Sequence, residues 1–284
     1  MITVLGVGNV KKEPILIIGG DKRQEYVYQT LTADGYDCAL ENAYIENITD
    51  NITSYRYIIL PVPASKNGKY IYSNNENFLL SFDSLCNNLT DKQIVFGGII
   101  GRKLADLLDE KRIVYHDFGN NDDFLIYNAF LTAQGALRLL LESTEKSLSG
   151  KKALITGFGR IGKALAQLLN NLNLSVTVCA RNENQLNLAE CMGFNTLKLS
   201  ELNFILTDTD YIFNTIPETV FKIDHIAKIR KDTIYFELAS APFGADKNML
   251  NEYNVKYVNG EALPGRFTPE SAGVKIAKTI ENLI

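Results

Sequence analysis

From Ile15 onward the chain alternates short apolar runs with stretches of helical periodicity. ILIIG (15–19) is followed by a helical pattern that reaches Asp34 and is stopped by Gly35. YRYIIL (55–60), IVFGG (94–98) and RIVYH (112–116) come next, with GRKLADLLDEK (101–111) reading as a helix between the last two. Apolar runs too short to be helices, separated by helical patterns, predict βαβ units and a mostly parallel sheet. Asp122 to Lys146 (DDFLIYNAFLTAQGALRLLLESTEK) breaks the rhythm. It is one long apolar-rich helical segment with no strand inside it, and it reads as the joint between two domains.

A second alternation begins with KKALIT (151–156) and the helix IGKALAQLLNNL (161–172), on which Ile161, Leu165, Leu168 and Leu172 share a face. LSVTVCA (174–180), a helix ending at Gly193, YIFNT (211–215), a helix through His225, TIYFEL (233–238), the helix DKNMLNEY (246–253) and KYV (256–258) complete it. TPESAGVKIAKTIENLI (268–284) starts as a helix should: Thr268 can cap it, and Pro269 occupies a first position where a missing N–H costs nothing. The fold expected is α/β, with two doubly wound parallel-sheet domains. Residues 1–121, joined by the returning terminal helix 268–284, form the first. Residues 122–267 form a Rossmann dinucleotide-binding domain.

Composition narrows the partners. The chain has 284 residues, 46% apolar and 22% charged, with a formal charge of −4 and no long Lys/Arg block, so neither a nucleic-acid footprint nor a polybasic membrane patch is expected. Cys38, Cys86, Cys179 and Cys191 show no CxxC spacing, and only His116 and His225 could complete a zinc site, so no metal is expected. The cysteines read as reduced, mostly buried thiols. In MITVLGVGNVKKEP the basic pair follows the apolar run, the reverse of a signal peptide, and no stretch reads as a membrane span. A cytoplasmic protein acting on small molecules or proteins is the expectation.

Gly157-Phe158-Gly159-Arg160-Ile161-Gly162 is a GxGxxG that follows a strand and opens a helix, the context in which this pattern carries information. The first glycine makes a tight turn, the second lets the backbone approach a pyrophosphate, and the third lets helix and strand pack closely. Gly6-Val7-Gly8 and Gly19-Gly20 lack a third spaced glycine and read as plain turns. The next strand ends in Arg181-Asn182, where an NAD-selective site carries an acid for the ribose hydroxyls; a cation there favours NADP. Thr215-Ile216-Pro217 and Leu238-Ala239-Ser240 end later strands and would roof the nicotinamide. The loop NGEALPGRFTPESAG (259–273) emerges at the same sheet edge, which brings Leu263 and Pro264 to the cofactor and Arg266 to an anionic substrate.

The stretches IIGGDKRQ (17–24), ILPVPASKNGK (59–69), NDDFLIYNAFLTAQGA (121–136), GFGRIGKALA (157–166), FNTIPE (213–218), ELASAPFGAD (237–246) and LPGRFTPESAG (263–273) resemble dipicolinate synthase A subunits over essentially the whole chain after the first dozen residues. The two-domain plan is also similar to that of D-2-hydroxyacid dehydrogenases, but the loops matching their catalytic His and Arg positions read LPGRFTP and ELASAPFGAD, without a His in either. The dipicolinate synthase resemblance implies NADP-dependent oxidation of dihydrodipicolinate, with a flavoprotein-like B subunit, in the cytoplasm of a sporulating cell; a homo-oligomer is a separate expectation. It departs from the family at ELAS for DLAS, PFG for PGG, TAQGA for TAEGA, and Arg266 for a lysine or apolar residue.

A small dicarboxylate needs clamps at both ends, and the resemblance implies Arg23, Gln134, Ser240, Gly265 and Arg266 on the substrate side. For Arg23, a solvated charge on a helix face is an equal alternative. No residue is assigned as catalytic acid or base. Two other functions stay open: a non-catalytic NADP-binding scaffold for the partner, and an atypical 2-hydroxyacid dehydrogenase.

Overall fold

The computed structural model describes residues 12–42 and 52–284, which leaves the turn expected at Gly6-Val7-Gly8 outside the described residues. The chain divides into two compact units, one running to Leu125 and resuming at Pro269, the other spanning Ile126–Thr268. The expected border lay at residues 121 and 122. It falls one helical turn later because Phe124, in the first turn of the joining helix, packs edge-on against Phe118 at 5.4 Å in the first unit's core.

In the first unit, β1 (Ile15–Ile18), β2 (Cys38–Glu41), β3 (Tyr57–Ile59), β4 (Ile94–Gly97) and β5 (Val114–Asp117) form one sheet in the order β2-β1-β3-β4-β5, parallel throughout. Helices cover both faces, so the inner strands are apolar on every residue rather than on alternate ones. Leu16, Ile18, Ile58 and Val95 face α2 (Phe82–Asn88) and α3 (Arg102–Glu110). Ile15, Ile17, Ile59 and Phe96 face α1 (Lys22–Ala33) and the returning α10 (Pro269–Glu281), through Val27, Leu31, Ile276 and Ile280. Lys278 adds an ion pair to Asp34 at 2.7 Å.

The joining helix α4 (Asp122–Ser143) leads into the second unit. There β6 (Lys152–Thr156), β7 (Ser175–Ala180), β8 (Asn195–Lys198), β9 (Tyr211–Asn214), β10 (Ile234–Glu237) and β11 (Lys256–Asn259) form a sheet in the order β11-β10-β9-β6-β7-β8, again wholly parallel. One face packs α4 and α5 (Arg160–Asn171) over Ile155, Val178, Phe213 and Phe236. The other buries Leu154, Ile212 and Tyr235 beneath Leu202, Ile226 and Leu250, from the segment before β9, α7 (Ile223–Ile226) and α8 (Lys247–Glu252). α6 (Glu183–Cys191) precedes β8.

Several elements differ from the sequence reading. β2 (CALE) and β8 (NTLK) lie at sheet edges, and none of their residues is fully buried, so neither carries an apolar run to announce it. The segment expected as a loop after β11 contains a helix, α9 (Leu263–Phe267), which starts after Ala262 at φ 54° and has Pro264 in its first turn, where no helical N–H bond is lost. By length and composition α4 is apolar enough to cross a membrane, with a mean hydropathy of 1.4, contrary to the expectation that no stretch is. Its Ala133, Ala136 and Leu140 are wholly buried in the second unit's core, which accounts for the composition. Cys86 and Cys179 are buried but Cys191 is exposed.

Candidate functional site

In the second sheet β6 pairs with β7 on one side and β9 on the other, so the chain leaves β6 toward one edge and later returns to build toward the other. At such a switch point the loops beyond the strand ends diverge and leave a crevice. The loop after β6 is the glycine motif. Gly157 has φ 89°, and a Cβ on it would lie 2.6 Å from Thr215 Oγ1; its N–H donates to Cys179 O at 2.8 Å. A Cβ at Gly162 would lie 2.3 Å from Gly157 O, so this glycine sets how closely α5 meets its strand. Gly159 differs: it is the N-cap of α5, no side chain caps that helix end, and a Cβ there would meet nothing within 4 Å. A twelve-residue helix therefore opens with an uncapped positive end beside empty space, which fits the pyrophosphate of a dinucleotide.

The neighbouring loops supply the rim. Arg181, one residue past β7, makes a two-point ion pair with Glu218, four residues past β9: Nη1 to Oε2 at 3.0 Å and Nη2 to Oε1 at 3.1 Å. Asn182 is committed elsewhere, since its Oδ1 caps α6 by accepting from the N–H groups of Asn184 and Gln185 at 2.8 and 3.4 Å. Thr215 donates from Oγ1 to Thr156 O at 2.8 Å; Ile216 is half-buried and Pro217 exposed. Arg160 is exposed on the first turn of α5.

A buried polar ladder fixes these strand ends. Thr156 Oγ1 donates to Asn214 Oδ1 at 2.6 Å, and Asn214 Nδ2 donates to Glu237 Oε1 at 2.6 Å and to Ile216 O at 2.9 Å. Glu237, with no exposed surface, also accepts from Tyr235 Oη (3.0 Å) and from the N–H groups of Ala239 (3.2 Å) and Gly244 (2.8 Å). Burial pushes its carboxyl above the ordinary value, and the bonds donated to it offset only part of that. Glu237 thus shapes the ELASAPFG turn and holds Asn214, the residue that precedes the TIP loop.

Other residues named from sequence fall in different surroundings. Phe158 is wholly buried in the core, 6.0 Å from Phe194 and edge-on to it, so its side chain does not line a crevice; Ile161 is half-buried and packs partly against the same core. Leu263 is a core residue too, because α9 turns it onto α4, where a Cβ at Gly135 would lie 2.7 Å from its own. Pro264 and Ala239 are buried; Gly265 is half-buried; Ser240 and Gln134 are exposed. Arg266 is exposed, donates from Nη1 to Asn259 O (3.1 Å) and Glu261 O (3.2 Å), and lies over the Phe267 ring at 5.0 Å. The loop's arginine is thus tied to its own turn.

In the first unit Arg23 is no surface charge. It is 7% exposed, pairs with Asp21 through Nε (2.8 Å) and Nη2 (2.7 Å), and donates from Nη2 to Val62 O at 2.6 Å. Tyr72 Oη donates to Asp21 Oδ2 at 3.3 Å. Burial alone would push the Asp21 carboxyl up, but the Arg23 bonds and charge outweigh it and hold it below the usual range; burial, with Asp21 beside it, pushes the Tyr72 phenol up to about 12. His116 stacks on Phe96 at 5.3 Å, and His225 Nδ1 accepts from Lys222 N–H at 3.2 Å, so both histidines have structural roles. Sequence reasoning missed Asp21, Asn214, Glu237 as a turn organiser, and Glu218; the only advance signal for Glu218 was its place at the end of FNTIPE.

Residues 14–118 match the N-terminal domain of dipicolinate synthase A subunits, and residues 129–261 match the NAD-binding domain of D-isomer-specific 2-hydroxyacid dehydrogenases. The dipicolinate synthase A subunit of Bacillus subtilis (strain 168) is 28% identical over 285 aligned residues, covering 95% of each chain. The crystal structure of the Bacillus subtilis A subunit superposes with a TM-score of 0.82 at 26% identity, over 95% of each chain. The Bacillus halodurans A-subunit structure superposes with a TM-score of 0.84 at 24% identity, over 95% of this chain and 97% of that one. Similarity to the A subunits of dipicolinate synthase therefore runs through both units, and the second is a dehydrogenase-type domain for a nicotinamide dinucleotide.

Proposed function

We propose that this chain works as the A subunit of a dipicolinate synthase, oxidising dihydrodipicolinate to dipicolinate with NADP alongside a flavoprotein-like B subunit, in the cytoplasm of a sporulating cell. The observation that carries the reading is the open, uncapped helix end at Gly159, in a chain similar to such subunits along nearly its whole length. NADP, when bound, supplies the hydride acceptor. Gly157, Gly159 and Gly162 make room for its pyrophosphate, and Arg181 provides a cation for the 2′-phosphate. Thr215, Ile216 and Pro217, held by the Thr156–Asn214–Glu237 ladder, bound the crevice beyond β9.

The reaction removes a hydride and a proton from the ring and leaves an aromatic pyridine. Aromatisation drives hydride departure, and the proton goes to water, so positioning supplies most of the catalysis and no side chain is needed as base. That fits two histidines with structural roles. For the substrate carboxylates, Arg266 with Ser240, Gln134 and Gly265 is the proposed set in the second unit, the Arg266 guanidinium being pre-oriented by its two carbonyl contacts. Arg23, the other clamp expected from sequence, is already engaged by Asp21 and Val62 O.

Absorbance of NADPH, after mixing the chain with NADP and freshly made dihydrodipicolinate, tests the reading with and without the B subunit. NADPH should form, and faster with the partner present. NADP binding without turnover under either condition would make the chain a scaffold. Turnover of 2-keto acids with NADPH instead would make it a hydroxyacid dehydrogenase.

A further inference from the structure

β7 and β9 lie on opposite sides of β6, so a bond between the loops that follow them joins the two sides of the strand that carries the glycine loop. The Arg181–Glu218 pair is such a bond. Its partners are 37 residues apart in sequence, and both guanidinium Nη atoms are engaged by both carboxylate oxygens. This fork-on-fork arrangement uses the face of arginine that best matches a phosphate. A 2′-phosphate arriving at Arg181 would therefore find its place held by a carboxylate of the same geometry.

We propose that Glu218 is a specificity gate of the dinucleotide crevice: it competes within the chain for Arg181, so the preference for NADP over NAD is set by the pair and not by the arginine alone. The inference rests on the assignment of Arg181 to the 2′-phosphate. It gives Glu218 a second consequence. A dinucleotide without the phosphate leaves the pair intact, whereas the phosphorylated one must break it and leave Glu218 to water. Both side chains are more than half exposed, so the exchange needs no change in the core and the pair is readily broken.

Titration calorimetry with NADP and NAD on the full chain tests this, using Glu218→Gln, Arg181→Ala and the double variant. Releasing Arg181 from an exposed partner should tighten NADP binding about two- to fivefold in Glu218→Gln. NAD affinity should stay the same. Arg181→Ala should weaken NADP binding about tenfold or more, and Glu218→Gln should then bring no gain in the Arg181→Ala background. NADP affinity unchanged or weakened in Glu218→Gln, with the Arg181→Ala loss intact, overturns the gate and leaves Arg181 as the phosphate ligand. No loss in Arg181→Ala overturns both.

Discussion

Each unit builds a strand, a glycine turn and a twelve-residue helix at the same place in its sheet, ILIIGGDKRQ in the first and ALITGFGRIG in the second, and in both the strand sits at the switch point of a doubly wound order. Topology thus offers two anion sites, but the chemistry leaves only one of them open. In the first unit Asp21 caps α1 by accepting from Arg23 N–H at 3.1 Å, which neutralises the positive helix end. The turn is also covered: Gly20 N–H donates to Tyr72 O, Asn74 N–H donates to Gly20 O, and a Cβ at Gly19 would lie 2.6 Å from Tyr72 O. In the second unit the cap is a glycine with open space beside it. One turn has become a fold element stapled by a buried ion pair, the other a cradle. A glycine-rich strand-to-helix turn becomes a phosphate site only when no carboxylate occupies the helix end.

Filling the cradle should have the largest effect. Gly159→Val should abolish NADP binding by calorimetry while circular dichroism and thermal unfolding stay those of the parent, because an added Cβ meets nothing within 4 Å. Binding at parental strength would break the comparison.

Removing the staple should do the reverse. Asp21→Ala leaves the Arg23 guanidinium buried and unpaired, and the first unit should lose about 3–5 kcal/mol in denaturant titrations with NADP affinity unchanged. The sign with pH follows from a carboxyl held below its ordinary value. Its contribution is complete above the unfolded value of about 4 and is lost as pH falls through the lowered folded one. The parent should therefore lose stability on the acid side by an amount that the Asp21→Ala variant lacks.

A smaller change probes the covered turn itself. Gly20 has φ 86°, and a Cβ on it would lie 2.4 Å from Gln24 Cγ, so Gly20→Ala should cost about 1–3 kcal/mol of stability and again spare the cofactor. The smallest effect is expected at the ELASAPFG turn, where Phe243 has φ 60°, a conformation that favours glycine. Phe243→Gly should relieve about 1 kcal/mol of left-handed strain, read as a raised unfolding midpoint.

The sequence by itself determined the sheets' inner strands, both glycine turns and the terminal helix begun at Pro269, because burial on both faces and the needs of a tight turn are written in consecutive residues. It also separated GFGRIG, with its third spaced glycine, from Gly19-Gly20. The tertiary structure alone decided what lies opposite what. The edge strands β2 and β8 exist because a neighbouring strand offers them hydrogen bonds, and their half-exposed residues carry no period of their own. Arg23 reads equally as a substrate clamp or a helix-face charge until Val62 O meets it and Tyr72 bonds its partner Asp21. Arg181 reads as a waiting cation until the order β9-β6-β7 brings Glu218 to it. Periodicity reports which face of an element is buried; the pairing of side chains from distant segments is set by strand order, which local sequence does not encode.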